Sequence, residues 1–334
     1  MSAADKDPEP VDEFDWIQRC LMPLADAPEA LGLLDDAAIV PSRPGYDLVI
    51  TKDAIVEGVH FLHDDPMESV AGKLIRVNLS DLAAKGAEPY GYVLATAWPR
   101  DMGWAAREAF ARGLAADQER FGLRLLGGDT VSTPGPFTAS LTALGWVPQG
   151  RMVKRSGALV GDVVLVSGTI GDGYLGLQGA QRRLLDLPKD DQAFLAARYR
   201  TPQPRVGLGE ALRTLARAAA DVSDGLIADA GRIAIASGVR IELDLEKTPL
   251  SSPTARWLEA QSDQDAGLMA LASGGDDYEV ICTASPEEAD ALRHASERLG
   301  LPLTPIGSVS AGQGVLTRLN GRLVSAGRGG YRHG

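Results

Sequence analysis

The stretch ESVAGKLIRVNLSDLAAK, Glu68 to Lys85, reads as one helix with a carboxylate out of place. At 100° per residue, Val70, Leu74, Val77 and Ala84 fall on one stripe, the pattern of a core-facing helix. Ser69, Lys73, Arg76 and Ser80 fall opposite and predict the solvent face. Asp81 lies inside the apolar stripe, with Asn78 beside it. A lone ionised carboxylate in a core is costly unless it is paired or bound to a metal. Taken alone, Asp81 fits an internal salt bridge or a cap as well as a metal ligand. The other aspartates of the chain bear on that choice.

Outward from this helix, the pattern alternates strands and helices. Gly86 and Pro89 end the helix. Before it, Ala37–Val40 and Tyr46–Asp53 read as strands, with Thr51 and Asp53 on one face of the second and Lys52 on the other. After it come a strand at Gly91–Ala97, a helix at Trp104–Phe121, a short strand at Leu123–Leu126 leading into Gly127-Gly128-Asp129-Thr130, and a strand at Thr138–Leu144. The basic connector Lys154-Arg155-Ser156-Gly157 marks a domain boundary. Beyond it, strands are expected at Asp162–Ser167, Ala218–Val222, Arg240–Leu245 and Tyr278–Thr283, with helices between them. Asp186–Pro204 reads as a polar surface excursion, and Asn320-Gly321 between two apolar runs reads as a hairpin turn. The expectation is an α/β (α+β) protein with a disordered lead-in at 1–13, an N-terminal domain at 14–153 and a C-terminal α/β domain at 154–334.

With 334 residues, 45% of them hydrophobic, the chain is long enough for two cored domains. No apolar run reaches the ~18–20 residues of a membrane span. A net charge of −12 argues against a nucleic-acid binder, which needs a cationic surface. It leaves room for a phosphorylated small molecule if cations stand between acids and phosphates. Cys20 and Cys282 form no Cys-x-x-Cys pair, so neither a disulfide framework nor a zinc knuckle is expected, and a reducing cytoplasm is the default setting. His60-x-x-His63 is the one histidine pair, and it lacks the companions of a zinc site. Gly171-Asp172-Gly173-Tyr174-Leu175-Gly176 matches G-x-G-x-x-G. The following Arg182–Gln192 lacks the Val/Ile-rich strand ending in an acid that a dinucleotide site requires. A structural turn, or a loop near another nucleotide, fits better.

Six aspartates occupy places where ligand sites collect in α/β proteins. Asp36 precedes a predicted strand, Asp53 ends one, and Asp81 sits on the buried helix. Asp129 follows a strand and two glycines, while Asp221 and Asp224 bracket the end of another strand. Each has a bland reading as a cap or turn residue. Together, with so little histidine or cysteine near them, they suit a hard cation such as magnesium. Gly127-Gly128, lacking Cβ atoms, would let backbone approach a phosphate. The residues therefore point to a magnesium-dependent enzyme of phosphorylated ligands, in which positioning and charge stabilisation do most of the chemistry.

The same motifs, in order, resemble the thiamine-monophosphate kinase family, within the aminoimidazole ribonucleotide synthetase-like ATP-utilising enzymes. They are Asp35-Asp36-Ala37-Ala38, Thr51-Lys52-Asp53, Val56-Glu57-Gly58-Val59-His60-Phe61, Asn78-Leu79-Ser80-Asp81, Gly127-Gly128-Asp129-Thr130, Asp221-Val222-Ser223-Asp224-Gly225 and Gly274-Gly275-Asp276-Asp277-Tyr278-Glu279. The resemblance runs from about Phe14 to Tyr331. It implies transfer of the ATP γ-phosphate to thiamine monophosphate, an N-terminal mixed-sheet domain forming a homodimer interface, and several magnesium ions. By position it implies magnesium ligands at Asp36, Thr51, Lys52, Asp53, Asp81, Asp129, Asp221 and Asp224, with Asp81, Asp129 and Asp221 at the catalytic centre. It implies ATP contacts at Gly128, Asp129, Arg155 and Ser223, and acceptor contacts at His60, Asp276 and Tyr331. Lys52 stands where the family usually has Thr and would offer its carbonyl; Asp276 replaces a usual Glu and is one methylene shorter. A sister ATP-dependent enzyme of the superfamily and a catalytically silent nucleotide-binding protein are the alternatives.

Overall fold

The computed structural model describes residues 11–184 and 186–324. Two units divide the chain, the first comprising the described residues up to Asn78 together with Pro89–Trp146. Its elements are α1 (Glu13–Trp16), β1 (Tyr46–Val56), α2 (Met67–Ala84), β2 (Glu88–Pro99), α3 (Trp104–Phe121), β3 (Leu125–Thr133) and β4 (Thr138–Pro148). The sheet order is β1-β4-β2-β3, with β2 and β3 parallel. Its core is aromatic. Trp98 packs against Phe137, Phe110 and Trp16 with ring centroids 4.4, 5.6 and 5.4 Å apart. Edge-on and tilted packing of this kind suits the ring quadrupoles.

Helix α2 forms where the periodicity places it, but it has no solvent face. Lys73, Arg76 and Ser80 are as buried as Val70 and Leu74. Their polar groups are matched inside the protein. Lys73 Nζ donates to the His60 carbonyl at 2.9 Å, and Arg76 grips Asp117 of α3 in a two-point pair at 2.7 and 2.8 Å. Such fork-to-fork geometry makes burial of both charges tolerable. Asp81, expected in the core, is instead partly open. Ala37–Val40 is not a strand. Ile39 N–H bonds instead to the Glu29 carbonyl at 3.0 Å, which ties this run back to the turn at 28–33, and it takes no place in the sheet. The Gly127-Gly128-Asp129-Thr130 motif lies within β3 rather than after it.

The second unit comprises Leu79–Glu88 and the described residues from Val147 on. Its elements continue as β5 (Val163–Ser167), α4 (Asp172–Ala180), α5 (Lys189–Arg200), α6 (Gly209–Leu215), β6 (Ala218–Val222), α7 (Leu226–Ser237), β7 (Arg240–Asp244), α8 (Ser252–Glu259), α9 (Gln264–Ser273), β8 (Glu279–Ala284), α10 (Pro286–Arg298), β9 (Leu303–Ser310), β10 (Gly314–Leu319) and β11 (Arg322–Val324). The strands form one sheet in the order β11-β10-β7-β9-β5-β8-β6, parallel at β10/β7 and antiparallel elsewhere. Both faces are covered. Val164, Val166, Ala220 and Ile281 pack with Leu226, Ile233 and Leu268, while Leu165, Ala219 and Cys282 pack with Leu212 and Leu292. This two-sided burial explains why β5, β6 and β8 read as continuous apolar runs.

Asp186–Pro204 contains a helix, α5, rather than a surface excursion. Asp191, Leu195 and Arg198 occupy its inward positions, so charged residues interrupt the apolar period that would have revealed it. The hairpin holds: Asn320 and Gly321, at φ 50° and 74°, turn β10 into β11 with Leu319 opposite Arg322.

Candidate active site

In the first unit, a cavity of about 480 Å³ opens over β2 and β3, and Asp36, Gly128 and Asp129 line it together. Asp36 is placed by a tight loop in which Leu31, Gly32 and Leu33 are all left-handed, and its N–H donates to Asp35 Oδ1 at 2.8 Å. The two glycines have different reasons to be there. A Cβ at Gly128 would stand 1.8 Å from the Leu94 carbonyl oxygen of β2, so the sheet itself demands glycine. At Gly127 the nearest atom would be 3.9 Å away, so no protein contact requires glycine there.

Thr51, Lys52, Asp53 and His60 do not line that cavity. Thr51 and Asp53 are half-buried on one face of β1 and Lys52 is exposed on the other, as strand alternation requires. Asp53 is fixed through its backbone: its N–H donates to Asn78 Oδ1 at 3.0 Å and its carbonyl accepts from Ser140 Oγ at 3.2 Å. His60 Nδ1 accepts the Val56 N–H at 3.1 Å, which assigns the ring proton to Nε2 and aims a donor away from β1.

In the second unit, Asp81, Asp221 and Arg155 surround Lys85. Burial pushes the Lys85 ammonium down to about 8, Arg155 pushes the same way, and Asp221 and Asp81 oppose them. Lys85 Nζ donates to the Ala219 carbonyl at 2.7 Å. Arg155 makes no ion pair among the described residues, and its buried Nε lacks a hydrogen-bond partner. A guanidinium in that condition calls for an anion. Beyond the end of β6, Ser223 and Asp224 are held by Asp229 of α7, whose Oδ2 accepts both their N–H groups at 3.0 Å. Burial raises the Asp229 carboxyl to about 6 against the pull of Arg232, which also pairs with Asp224. Asp276 is left-handed at φ 72°, and its N–H donates to the Ser223 carbonyl at 2.9 Å. Tyr331 lies outside the described residues.

Asn78, Lys85, Asp229 and Asp277 were not singled out in the sequence as site residues. Asp229 had a signal, an acid one helical turn inside α7 and positioned to reach back over the Asp221–Asp224 turn. Lys85 had none, since a lysine ending a helix is ordinary. The G-x-G-x-x-G glycines are explained by protein contacts. Cβ atoms at Gly171, Gly173 and Gly176 would stand 2.6 Å from Leu271, 2.1 Å from the Asp276 carbonyl and 2.1 Å from the Leu195 carbonyl. No pyrophosphate is needed to account for them.

Among the described residues, no three His, Cys, Asp or Glu side chains are grouped closely enough to hold a metal unaided. The donors are nonetheless of the right kind. Asp36 shares a cavity with Asp129, and Asp81 stands with Asp221 about Lys85. Magnesium is commonly held by one or two carboxylates, with water and substrate phosphates completing its octahedron.

Family models place these units. The model described as AIR synthase related protein, N-terminal domain, matches residues 34–147, and the corresponding C-terminal domain matches 160–319. The chain belongs to the AIR synthase related family, on its thiamine-monophosphate kinase branch. A curated thiamine-monophosphate kinase of Caulobacter vibrioides is 55% identical, over 97% of this chain and 92% of the relative. The crystal structure of the Stenotrophomonas maltophilia K279a thiamine-monophosphate kinase superposes with a TM-score of 0.82 at 38% identity, over 94% and 98% of the two chains. A structure of AaThiL complexed with AMPPCP and TMP superposes with a TM-score of 0.77 at 30% identity, over 96% of each.

Proposed function

We propose that this chain is an ATP-dependent kinase that phosphorylates thiamine monophosphate to thiamine diphosphate. The observation that carries the reading is 55% identity to a thiamine-monophosphate kinase along nearly the whole chain. The AaThiL complex with AMPPCP and TMP supports ATP and thiamine monophosphate as the two ligands.

In this reading magnesium, when bound, screens the phosphates from one another and from the carboxylates. Asp36, Asp53, Asp81, Asp129, Asp221 and Asp224 are its side-chain ligands, with Thr51 and the Lys52 carbonyl completing the set. Arg155, with its unsatisfied Nε, takes an ATP phosphate, aided by the backbone of Gly128, by Asp129 and by Ser223. His60 donates from Nε2 to the acceptor, and Asp276 and Tyr331 contact it. The acceptor phosphate has a second pKa of ~6 and is already anionic near neutral pH, so no strong general base is required.

We also propose a homodimer formed through the N-terminal sheet. Val93 and Val131 are exposed and lie on the same sheet face, since Ala97 pairs with Val131 two residues beyond Ala95 in the β2/β3 register. A cytoplasmic setting suits the unpaired Cys20 and Cys282 and the use of ATP. Among the described residues, no helix is long and apolar enough to cross a membrane.

Mass-detected thiamine diphosphate formation from ATP, magnesium and thiamine monophosphate tests the activity directly. No product above a no-enzyme control, from folded protein, would refute it.

A further inference from the structure

We infer that two buried aspartates outside the proposed ligand set, Asp277 and Asp229, are positioning residues, one fixing the acceptor-side loop and the other the nucleotide-side loop. The inference rests on the kinase reading, and it adds a division of labour between groups that touch neither substrate.

Asp277 is 1% exposed. Its Oδ2 accepts the Gly171 N–H at 2.8 Å and its Oδ1 the Gly173 N–H at 3.0 Å, tying the 274–278 segment to the turn before α4. The residues on either side, Asp276 and Tyr278, are both left-handed, at φ 72° and 52°. Side chains other than glycine rarely hold that conformation unless the surroundings impose it. Here Tyr278 N–H is bonded to the Val222 carbonyl at 2.8 Å. Behind the segment, the fully buried Glu279 accepts from Arg198 at 2.7 Å and Ser167 at 2.6 Å, and also from Arg205. The backbone that carries Asp276 is thus held by groups on either side of it.

The Ser223–Asp224 turn has a separate support. Asp229 is fully buried and gathers the N–H groups of both residues on one oxygen. Two backbone bonds join these segments, Asp276 N–H to the Ser223 carbonyl and Tyr278 N–H to the Val222 carbonyl, and neither carboxylate makes them. Loss of either clamp should therefore be felt mainly on its own side. Carboxylates that served only to stabilise the fold would show no such partition.

The test is steady-state kinetics of the full chain with Asp277→Asn, which turns an amide toward a backbone N–H donor, and Asp229→Ala, which removes the oxygen that both loop N–H groups share. Asp277→Asn should raise KM for thiamine monophosphate about tenfold and leave KM for ATP within about twofold. Asp229→Ala should do the reverse, and should weaken binding of the ATP analogue AMPPCP by about tenfold in calorimetry. Equal effects of both substitutions on both substrates, or a lowered melting temperature with unchanged KM values, would overturn the inference. If Asp277→Asn does not fold, Arg198→Lys loosens the same segment through Glu279 and must raise the acceptor KM alone. Asp276→Ala separates the two readings. If it leaves the acceptor KM unchanged while Asp277→Asn raises it, the contact assigned to Asp276 is wrong and the clamp stands. If the unaltered protein makes no thiamine diphosphate, the kinase reading fails, and AMPPCP binding still decides the Asp229 clamp.

Discussion

Asn78 Oδ1 accepts the backbone N–H of Asp53 at 3.0 Å, while its Nδ2 donates to the Leu74 carbonyl one turn back along α2. A fully buried side chain thus splints a candidate metal-binding strand to the central helix. Asn78→Ala leaves the Asp53 N–H without this acceptor, while the Leu74 carbonyl keeps its helix bond, and should cost about 1–3 kcal/mol, read as a lower midpoint in urea. It should also raise the magnesium concentration needed for half-maximal activity. A stability loss with an unchanged magnesium requirement would confine Asn78 to the fold.

Asp81→Asn keeps shape and removes one anionic oxygen ligand. Activity should fall by about two orders of magnitude or more, as for loss of a charge made for the transition state. Metal-free stability should move by less than about 1 kcal/mol, because Asp221 still offsets the Lys85 ammonium. A strongly destabilised variant whose folded fraction turns over normally would return Asp81 to a structural role.

Lys85 gives a pH signature. Its folded pKa, about 8, lies below the ordinary value of 10.5. Between those values the unfolded chain binds the proton and the folded chain does not, so stability rises with pH across that window. Below it the buried ammonium is a burden, and Lys85→Met should be the more stable protein by about 1–3 kcal/mol at pH 7. That advantage should shrink as pH climbs from 8 toward 10.5. Urea midpoints at pH 7, 9 and 10.5 check it, and parallel curves for the two proteins would show that Lys85 does not titrate as described.

Ligand linkage tests the nucleotide site without turnover. AMPPCP with magnesium at a hundredfold excess over Kd should stabilise the protein by ~2.7 kcal/mol. Substituting Arg155 with Ala should remove most of that gain, since its guanidinium lacks an ion-pair partner within the described residues. A melting temperature indifferent to both ligands would count against the ATP site.

Much of this was legible in the residues. The helix at Trp104–Phe121 falls where the sequence predicts it, and a left-handed Gly122 ends it by local geometry alone. The strands of the second unit showed as apolar runs because both their faces are covered. What stayed hidden depends on partners distant in sequence. Lys73 and Arg76 look like solvent residues until His60 and Asp117 are placed beside them. The inward face of α5 is charged because Asp191 meets Arg256 and Arg198 meets Glu279. Around the candidate site, Asp229 had a signal in its place one turn inside α7, whereas Asp277 had none, since a buried acid that serves backbone amides looks like any other acid in sequence.

Gly128 carries a consequence for reading divergent relatives. Its missing Cβ is required by the Leu94 carbonyl of the neighbouring strand, so a chain that had lost its nucleotide would still have to keep it for the sheet to close. Gly127 is under no such obligation. A side chain at 127 is therefore compatible with the architecture, and a glycine at 128 alone says nothing about whether a protein of this shape is still a kinase.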